Sequence, residues 1–557
     1  MNAIVRSRLR WPAWFAYRPE ASVETIALVA SLFFAVFANG AFWRAASAAG
    51  ALSAGKGAWI AACMFVAIVA ITLLLLGVLL NRWTVKPLLT LLLLVTAAAA
   101  HFMSQYGVYL DTGMVRNVLQ SDGKESGELL SAGLILPMLL YGVLPSLLLW
   151  RLKLKPRPLG RAVLVRLGTL SAALAVSVLA LMLSFQDVSA LMRNHKEIRH
   201  LVTPANYLVS LARVALDDSA SRVRGRMPIG TDARLVARAP GAKPRLLVLV
   251  VGETVRAQNW GLNGYQRQTT PELARIQPIN FPDMTACGSS TEVSVPCMFS
   301  PYGRENYDKR RIEGSESLLN VLEYAGIQTL WRDNQTGCKN VCKGLAFESF
   351  EHDRDPAFCD AERCFDEVML RGLRERLDVR GGDAVVVLHQ LGNHGPSYFR
   401  RYPERLRRYT PTCDTNELGR CSREQIVNAY DNAVLATDEF LARTIRYLAG
   451  DAGRDTALIY LSDHGESLGE NGLYLHGVPY AIAPKTQTRV PMVMWMSPGF
   501  SAARGLDLQC LRNESRRPAS QDNLFHSVLG LMQVETGVYR KALDLFAPCM
   551  PGATAPG

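Results

Sequence analysis

Five long apolar runs, all before about residue 185, limit what this chain can fold into more than any other feature. They cover residues 25–42, 58–80, 87–102, 130–150 and 163–185, and nothing comparable follows residue 210. A helix needs ~20 residues to cross the hydrocarbon core, and the runs reach or approach that length. The third is the shortest and is expected to begin near Trp83. One such run is compatible with a buried core helix, but five in succession argue for membrane spans. No small-residue cleavage pattern follows the first run, so a retained anchor is expected rather than a removed signal peptide.

Basic residues orient the spans. The N-terminal segment carries Arg6, Arg8, Arg10 and Arg18, the second connection Arg82 and Lys86, and the fourth Arg151, Lys153, Lys155, Arg157 and Arg161. The first and third connections hold little positive charge. By the positive-inside rule the N-terminus is cytoplasmic, and five crossings place the rest of the chain outside. Eleven of the twelve net positive charges lie in the first 210 residues. The basic balance therefore reflects topology and anionic lipid, and nucleic acid is not expected as a partner.

Cysteine usage points the same way. Ten of the eleven cysteines lie in the exported part, and Cys63 lies within a span. Disulfides in an oxidising compartment are expected, most simply 287–297, 338–342, 359–364 and 413–421 by proximity, and 510–549 by elimination. Zinc is the rival for "CKNVC", but no second ligand pair with suitable spacing accompanies it.

Three segments are expected: a transmembrane domain of five helices at 1–185, amphipathic bridging helices and a linker at 186–235, and an exported domain at 236–557. The bridge, "DVSALMRNHKEIRHLVTPANYLVSLARVAL", mixes apolar and basic residues at near-helical spacing and should break before Pro204. In the exported part, "RLLVLVVGET", "IQTLWRDN", "DAVVVLHQLGNH" and "TALIYLSDHGE" are continuous and apolar, as strands buried on both faces of a mostly parallel sheet are. Helical stretches alternate with them, so the fold class is α/β.

Three of these strands end in potential metal ligands: Glu253, then His389 and His394, then Asp463 and His464. In open α/β sheets, ligands bind at the carboxyl ends of the strands. His476, on a Gly-flanked loop, can return to the same rim. Glu253, Asp463 and His464 form a set suited to Zn²⁺ with one position open. The stretch "TACGSSTEVSVPCMFS" offers hydroxyls with no base among them. A metal would lower the pKa of a hydroxyl in its open position. "SSTEVSVPC" also reads as a helix start, which favours anions. His195, His200, His352 and His526 lack such company and are expected at the surface or in packing, and His101 at an interface.

The motifs "NWGLNGYQRQTTP", "CGSSTEVSVPCMFS", "WRDNQTGCKNVC", "HQLGNHGPSY", "LSDHGESLGENGLYLHG", "DNLFHSVLG" and "LDLFAPC" resemble the lipid A phosphoethanolamine transferases. These are Gram-negative inner-membrane enzymes with an alkaline-phosphatase-like periplasmic domain, and the likeness spans nearly the whole chain. The resemblance implies Thr291 as nucleophile and a zinc ion on Glu253, Thr291, Asp463 and His464. It implies that His394 and His476 contact the phosphoryl group or a second zinc, and that Lys339 contacts phosphate. Asn117, Ser121 and Glu125 match the loop that contributes to the lipid site, with Ser121 standing where many relatives have Thr. His389 lies in a motif without an implied ligand role.

The implied reaction moves phosphoethanolamine from phosphatidylethanolamine to a lipid A phosphate through phospho-Thr291, weakening binding of polymyxins, and a monomer is expected. A sulfatase is disfavoured because no C-x-P-x-R motif surrounds the nucleophile. A glycerophosphate transferase fits the cysteine-rich motifs poorly. A transferase to another surface glycan and a non-catalytic phospholipid sensor remain as alternatives, the latter opposed by the complete metal set.

Overall fold

The computed structural model describes residues 18–50, 52, 57–121, 127–222, 225–238, 240–360, 363–378 and 381–550. Arg6, Arg8 and Arg10 lie outside them. The chain forms two compact units, one of residues 1–111 with 131–210, the other of 112–130 with 211–557.

In the first unit, four described helices are long and apolar enough to cross a membrane: Gly57–Leu79, Val85–Tyr106, Ala132–Arg151 and Leu159–Leu183. The expected first span is a bent pair, Val23–Ala38 and Gly40–Ala48, inclined by 53°. The hinge is Asn39. Its Nδ2 donates to the Phe34 and Thr203 carbonyls at 2.8 and 2.9 Å, and its Oδ1 accepts from the Thr203 amide at 2.9 Å. Backbone groups released by a break in hydrocarbon need such partners. Apolar periodicity does not register this kink, because the run is apolar on both sides of Asn39. Gly77 lets two spans approach closely, since a methyl there would lie 2.7 Å from Leu170 Cδ2. Val78, Leu164 and Met182 are over 70% exposed, as side chains that face lipid are.

After the last span come helices Phe185–Asn194 and Ala205–Arg222, the second starting directly after the cis Thr203–Pro204 peptide.

The second unit is built on an eight-stranded sheet among the described residues. Its strands are β1 Arg245–Gly252, β2 Ile279–Thr285, β3 Gln328–Asp333, β4 Phe347–Ser349, β5 Ala384–His389, β6 Asp455–Ser462, β7 Arg489–Met496 and β8 Ala519–Ser520. Their order is β8-β2-β7-β6-β1-β5-β3-β4. The four strands anticipated from continuous apolar runs are the contiguous parallel centre, β6-β1-β5-β3. Every residue of β1, β3 and β5 is buried, which is why none of them alternates. The β7 strand runs antiparallel to both β6 and β2, with a register shift at Pro491. Proline cannot donate to the ladder, so a bulge accommodates it.

Four helices matter for the site: α1 Thr112–Gln120, α2 Thr291–Met298, α3 Arg423–Ala449 and α4 Asp522–Leu531. The long α3 opens with a reciprocal capping box between Ser422 and Gln425. All five expected disulfides are present, including Cys510–Cys549, and Cys63 is free and buried.

Candidate active site

Register brings the first ligands together. Gly252 of β1 pairs with Ser462 of β6, so the next residues, Glu253 and Asp463, emerge side by side at the carboxyl rim. The Asp463 amide donates to the Gly252 carbonyl at 2.9 Å, and Asp463 Oδ1 accepts from the Thr254 and His464 amides at 3.1 and 2.6 Å. Glu253, Asp463 and His464 are fully buried.

Helix α2 begins at Thr291, and its hydroxyl is aimed into this group. Thr291 Oγ1 donates toward Glu253, 3.1 Å from Oε2 and 3.3 Å from Oε1, and lies 3.2 Å from His464 Nε2. The first amides of a helix have no intrahelical acceptor, so this end suits a developing anion or a bound phosphoryl group.

The donor set tests well for a cation. His464 Nδ1 lies 2.9 Å from the Gly465 carbonyl, which only accepts, so the proton sits on Nδ1 and Nε2 offers a lone pair. Burial pushes the His464 pKa down, with the His476 ring also opposing protonation, although the neighbouring Asp463 opposes that shift. A neutral imidazole lone pair thus faces carboxylate oxygens of Asp463 at 3.3 Å and Glu253 at 3.5 Å. Asp463 Oδ2 is buried with no hydrogen-bond partner. Two buried carboxylates facing a lone pair are costly, and one divalent ion between them would offset that cost. The ligand atoms of Glu253, Asp463 and His464 lie within 4.8 Å of one another.

Around this centre stand the other expected residues. The His476 ring lies against His464 (centroids 4.3 Å apart) and His394 (5.6 Å). His394 is held below its usual pKa by burial and by the neighbouring His476 and Arg401, so it is a neutral imidazole. Lys339, at φ 49°, pairs with Glu292 Oε2 at 3.5 Å and donates to Thr336 Oγ1 at 2.7 Å. Glu292 follows Thr291 on α2, so Lys339 is paired with the residue next to that hydroxyl. Asn117 lies on α1, which packs against α2; a methyl at Gly477 would come 3.8 Å from Asn117 Nδ2 and 2.8 Å from Met114 Cε. Asn117 therefore borders the His476 loop. The Ser121 hydroxyl donates back to the Asn117 carbonyl at 3.0 Å and closes α1 instead of joining the cluster. Glu125 lies outside the described residues.

His389 is not in the cluster. It pairs with Asp333 through Nδ1 at 3.1 Å. Burial alone would raise the Asp333 pKa, but His389, the Gly337 amide and the Trp331 indole hold it below the usual value. Asp333 Oδ1 in turn accepts from the Gln335 and Gly337 amides, shaping the loop that leads to Lys339.

Two residues of the site escaped the sequence reading. Gln335 donates Nε2 to Glu253 Oε2 at 2.9 Å and so orients that carboxylate. Glu466, fully buried, pairs with His476 Nδ1 at 2.9 Å and accepts from the Tyr398 hydroxyl at 2.7 Å. His464, Glu466 and His476 form a second group able to hold a metal. The signal for Glu466 was its place two residues beyond His464 in "SDHGE"; Gln335 had no such flag beyond following a buried strand.

Comparisons with known proteins identify the family. The family model described as "Sulfatase" matches residues 245–534, and that described as "Phosphoethanolamine transferase EptA/EptB" matches residues 68–218. The chain is 39% identical over 480 residues to phosphoethanolamine transferase EptA of Escherichia coli K12, covering 84% of this chain and 86% of that one. It is 40% identical over 447 residues to phosphatidylethanolamine transferase Mcr-1 of Escherichia coli, covering 78% and 82%. Among solved structures, the integral membrane lipooligosaccharide phosphoethanolamine transferase A of Neisseria meningitidis matches with a TM-score of 0.91 at 37% identity. That match covers 97% of this chain and 100% of that one.

Proposed function

The chain belongs to the phosphoethanolamine transferase family, and we propose that it moves phosphoethanolamine from phosphatidylethanolamine to a phosphate of lipid A through a covalent phospho-Thr291 intermediate. The observation that carries this reading is the Thr291 hydroxyl at the start of α2, 3.1–3.3 Å from Glu253 and His464 inside a buried ligand set. The N-terminus is cytoplasmic, the second unit faces the periplasm of a Gram-negative inner membrane, and the enzyme acts as a monomer.

Glu253, Thr291, Asp463 and His464 would hold Zn²⁺, which lowers the pKa of a hydroxyl and offsets charge on phosphoryl oxygens. In the first displacement, Thr291 Oγ forms a bond to the donor phosphorus and the bond to the diacylglycerol oxygen breaks. Diacylglycerol departs with the proton that the hydroxyl gave up. In the second, an oxygen of a monoprotonated lipid A phosphate attacks phospho-Thr291, a phosphoanhydride forms, the bond from phosphorus to Thr291 Oγ breaks, and Thr291 Oγ takes up the acceptor's proton. His394, His476 and Lys339 contact the phosphoryl oxygens. Lys339 gives up its 3.5 Å pairing with Glu292 for a stronger anion, and helix α2 adds its terminal amides. Asn117, Ser121 and Glu125 belong to the segment that would serve the lipid site. The product carries less anionic charge, so polymyxins bind it more weakly.

Mass spectrometry of lipid A from cells with and without the protein tests the reading. An added phosphoethanolamine mass is expected, present with the wild type and absent with Thr291→Ala. Lipid A unchanged by the wild type, with the same mass on another surface glycan, would replace the acceptor.

A further inference from the structure

We propose that Glu128 is a latch holding the segment that carries Asn117 onto the catalytic unit, and that two disulfide-closed loops exist in part to present its partners. The inference rests on the functional reading above, because it gives the segment its purpose.

Glu128 lies between two spans in sequence, yet belongs to the second compact unit and is only 8% exposed. Its Oε2 accepts from Arg401 Nη2 at 2.5 Å, and its Oε1 lies 3.0 Å from Arg363 Nε. The Arg401 side chain is fully buried. Asn416 Nδ2 donates to the Glu128 carbonyl. One short acidic segment is thus held by three side chains brought from 235 to 288 residues away in sequence.

Two of the three sit on stapled loops. Arg363 is next to Cys364, which is bonded to Cys359; the Asp360 amide donates to the Arg363 carbonyl at 2.9 Å, and the Arg363 amide to Asp360 Oδ1 at 2.7 Å. Asn416 lies inside the Cys413–Cys421 loop, which the Cys413 amide ties to Gln425 of α3 at 3.1 Å. A loop closed over few residues gains little stability from a disulfide, but it fixes direction. Both loops point a donor at the same glutamate.

Arg401 links the latch to the chemistry. While Nη2 holds Glu128, its Nε donates to the His394 carbonyl at 2.7 Å. At the other end of the segment, α1 packs on α2 and sets Met114 and Asn117 against Gly477, next to His476. The segment is therefore held at one end by α1 packing on α2 and at the other by Glu128. A carboxylate placed between two guanidinium groups is oriented by directional, charge-assisted bonds that a neutral side chain does not reproduce. Glu128 touches no reacting atom; it is a positioning residue.

The test uses the full-length protein in vesicles of phosphatidylethanolamine with lipid A, compared with a small soluble phosphoethanolamine ester. Glu128→Gln should raise the KM for the lipid donor by about tenfold to a hundredfold, the scale of misplacing a binding group by an ångström. Turnover of the soluble ester and zinc content should stay near wild type. Amide hydrogen exchange at residues 129–131 should accelerate, a readout independent of activity. Cys413→Ser with Cys421→Ser should reproduce the KM effect, and adding Glu128→Gln should worsen it little, because both break one device. Arg363→Gln, which leaves the Arg401 contact intact, gives an intermediate variant should the glutamine variant fold poorly. The latch is refuted if Glu128→Gln and Arg363→Gln keep the wild-type KM and exchange rates. It is equally refuted if both substrates lose turnover in parallel, since the effect would then be on the whole unit. A wild type that transfers nothing to lipid A fails the functional reading instead, while the exchange data still judge the latch.

Discussion

Removing the metal should destabilise the protein by an amount the geometry sets. The ligand atoms of Glu253 and Asp463 lie within 4.8 Å of each other, fully buried. Two unit charges at that distance repel by about 3.5 kcal/mol at an effective dielectric of about 20. An ion between them cancels that repulsion, and stripping it returns the cost. At roughly 2 cal/mol/K per residue, a unit of about 350 residues loses about 1.4 °C per kcal/mol, so chelation should lower Tm by about 5 °C. Asp463→Asn isolates the charge. The amide keeps Oδ1, which holds the Thr254 and His464 amides, and replaces only Oδ2, which has no hydrogen-bond partner. Thermal unfolding of the full-length protein in detergent, with and without chelator and with metal content measured in parallel, reads both effects. The wild type should drop by that margin, and the variant should show no chelator dependence and melt above the stripped wild type. A stripped wild type that melts like the loaded one, or a variant that melts below it, would refute the claim that these carboxylates are held together by a cation.

Other expectations are as direct. Thr291→Ser should retain part of the transfer that Thr291→Ala loses, with phosphothreonine found by mass spectrometry only in the wild type; an unmodified Thr291 during turnover would count against the covalent step. Asn117→Ala should lower lipid transfer with zinc content unchanged, and equal loss on a soluble ester would move Asn117 into the chemistry. His526 is buried, and burial, with the nearby Arg540 adding to it, holds its pKa at about 4 against an ordinary 6.5. Because the folded state resists protonation, its contribution is intact above pH 6.5 and is lost as pH falls toward 4. Its Nδ1 accepts the Arg540 amide at 3.1 Å, so His526→Gln preserves an acceptor but cannot charge. The fall in Tm across that window should be shallower in the variant, and parallel curves would show that His526 is not part of the acid sensitivity.

What the sequence discloses about this molecule follows the range of the forces involved. The centre of the sheet is legible because β1, β3, β5 and β6 are buried on both faces and carry continuous apolar stretches, and their ends then mark Glu253, His389 and Asp463. The antiparallel neighbours are not, since Pro282 and Pro491 interrupt β2 and β7 and only the finished sheet supplies the bulge that tolerates them. His389 shows the limit of reading strand ends: it shares the rim but turns to Asp333, one register position across on β3, and supports a loop instead of a ligand set. Glu466 and Gln335 were hidden because each acts through a partner distant in sequence or across a loop, and no local pattern separates a glutamate that orients His476 from one that caps a turn. The bend at Asn39 is the same case in hydrocarbon, where one amide repairs the backbone of two segments 164 residues apart. Glu128 extends the argument: in sequence it is one of several acidic residues before a membrane span, and only the fold gives it two arginines. Residues proposed to hold the metal, and those that fill the core, announce themselves locally, whereas those that aim other residues are defined by partners that meet only once the chain has folded.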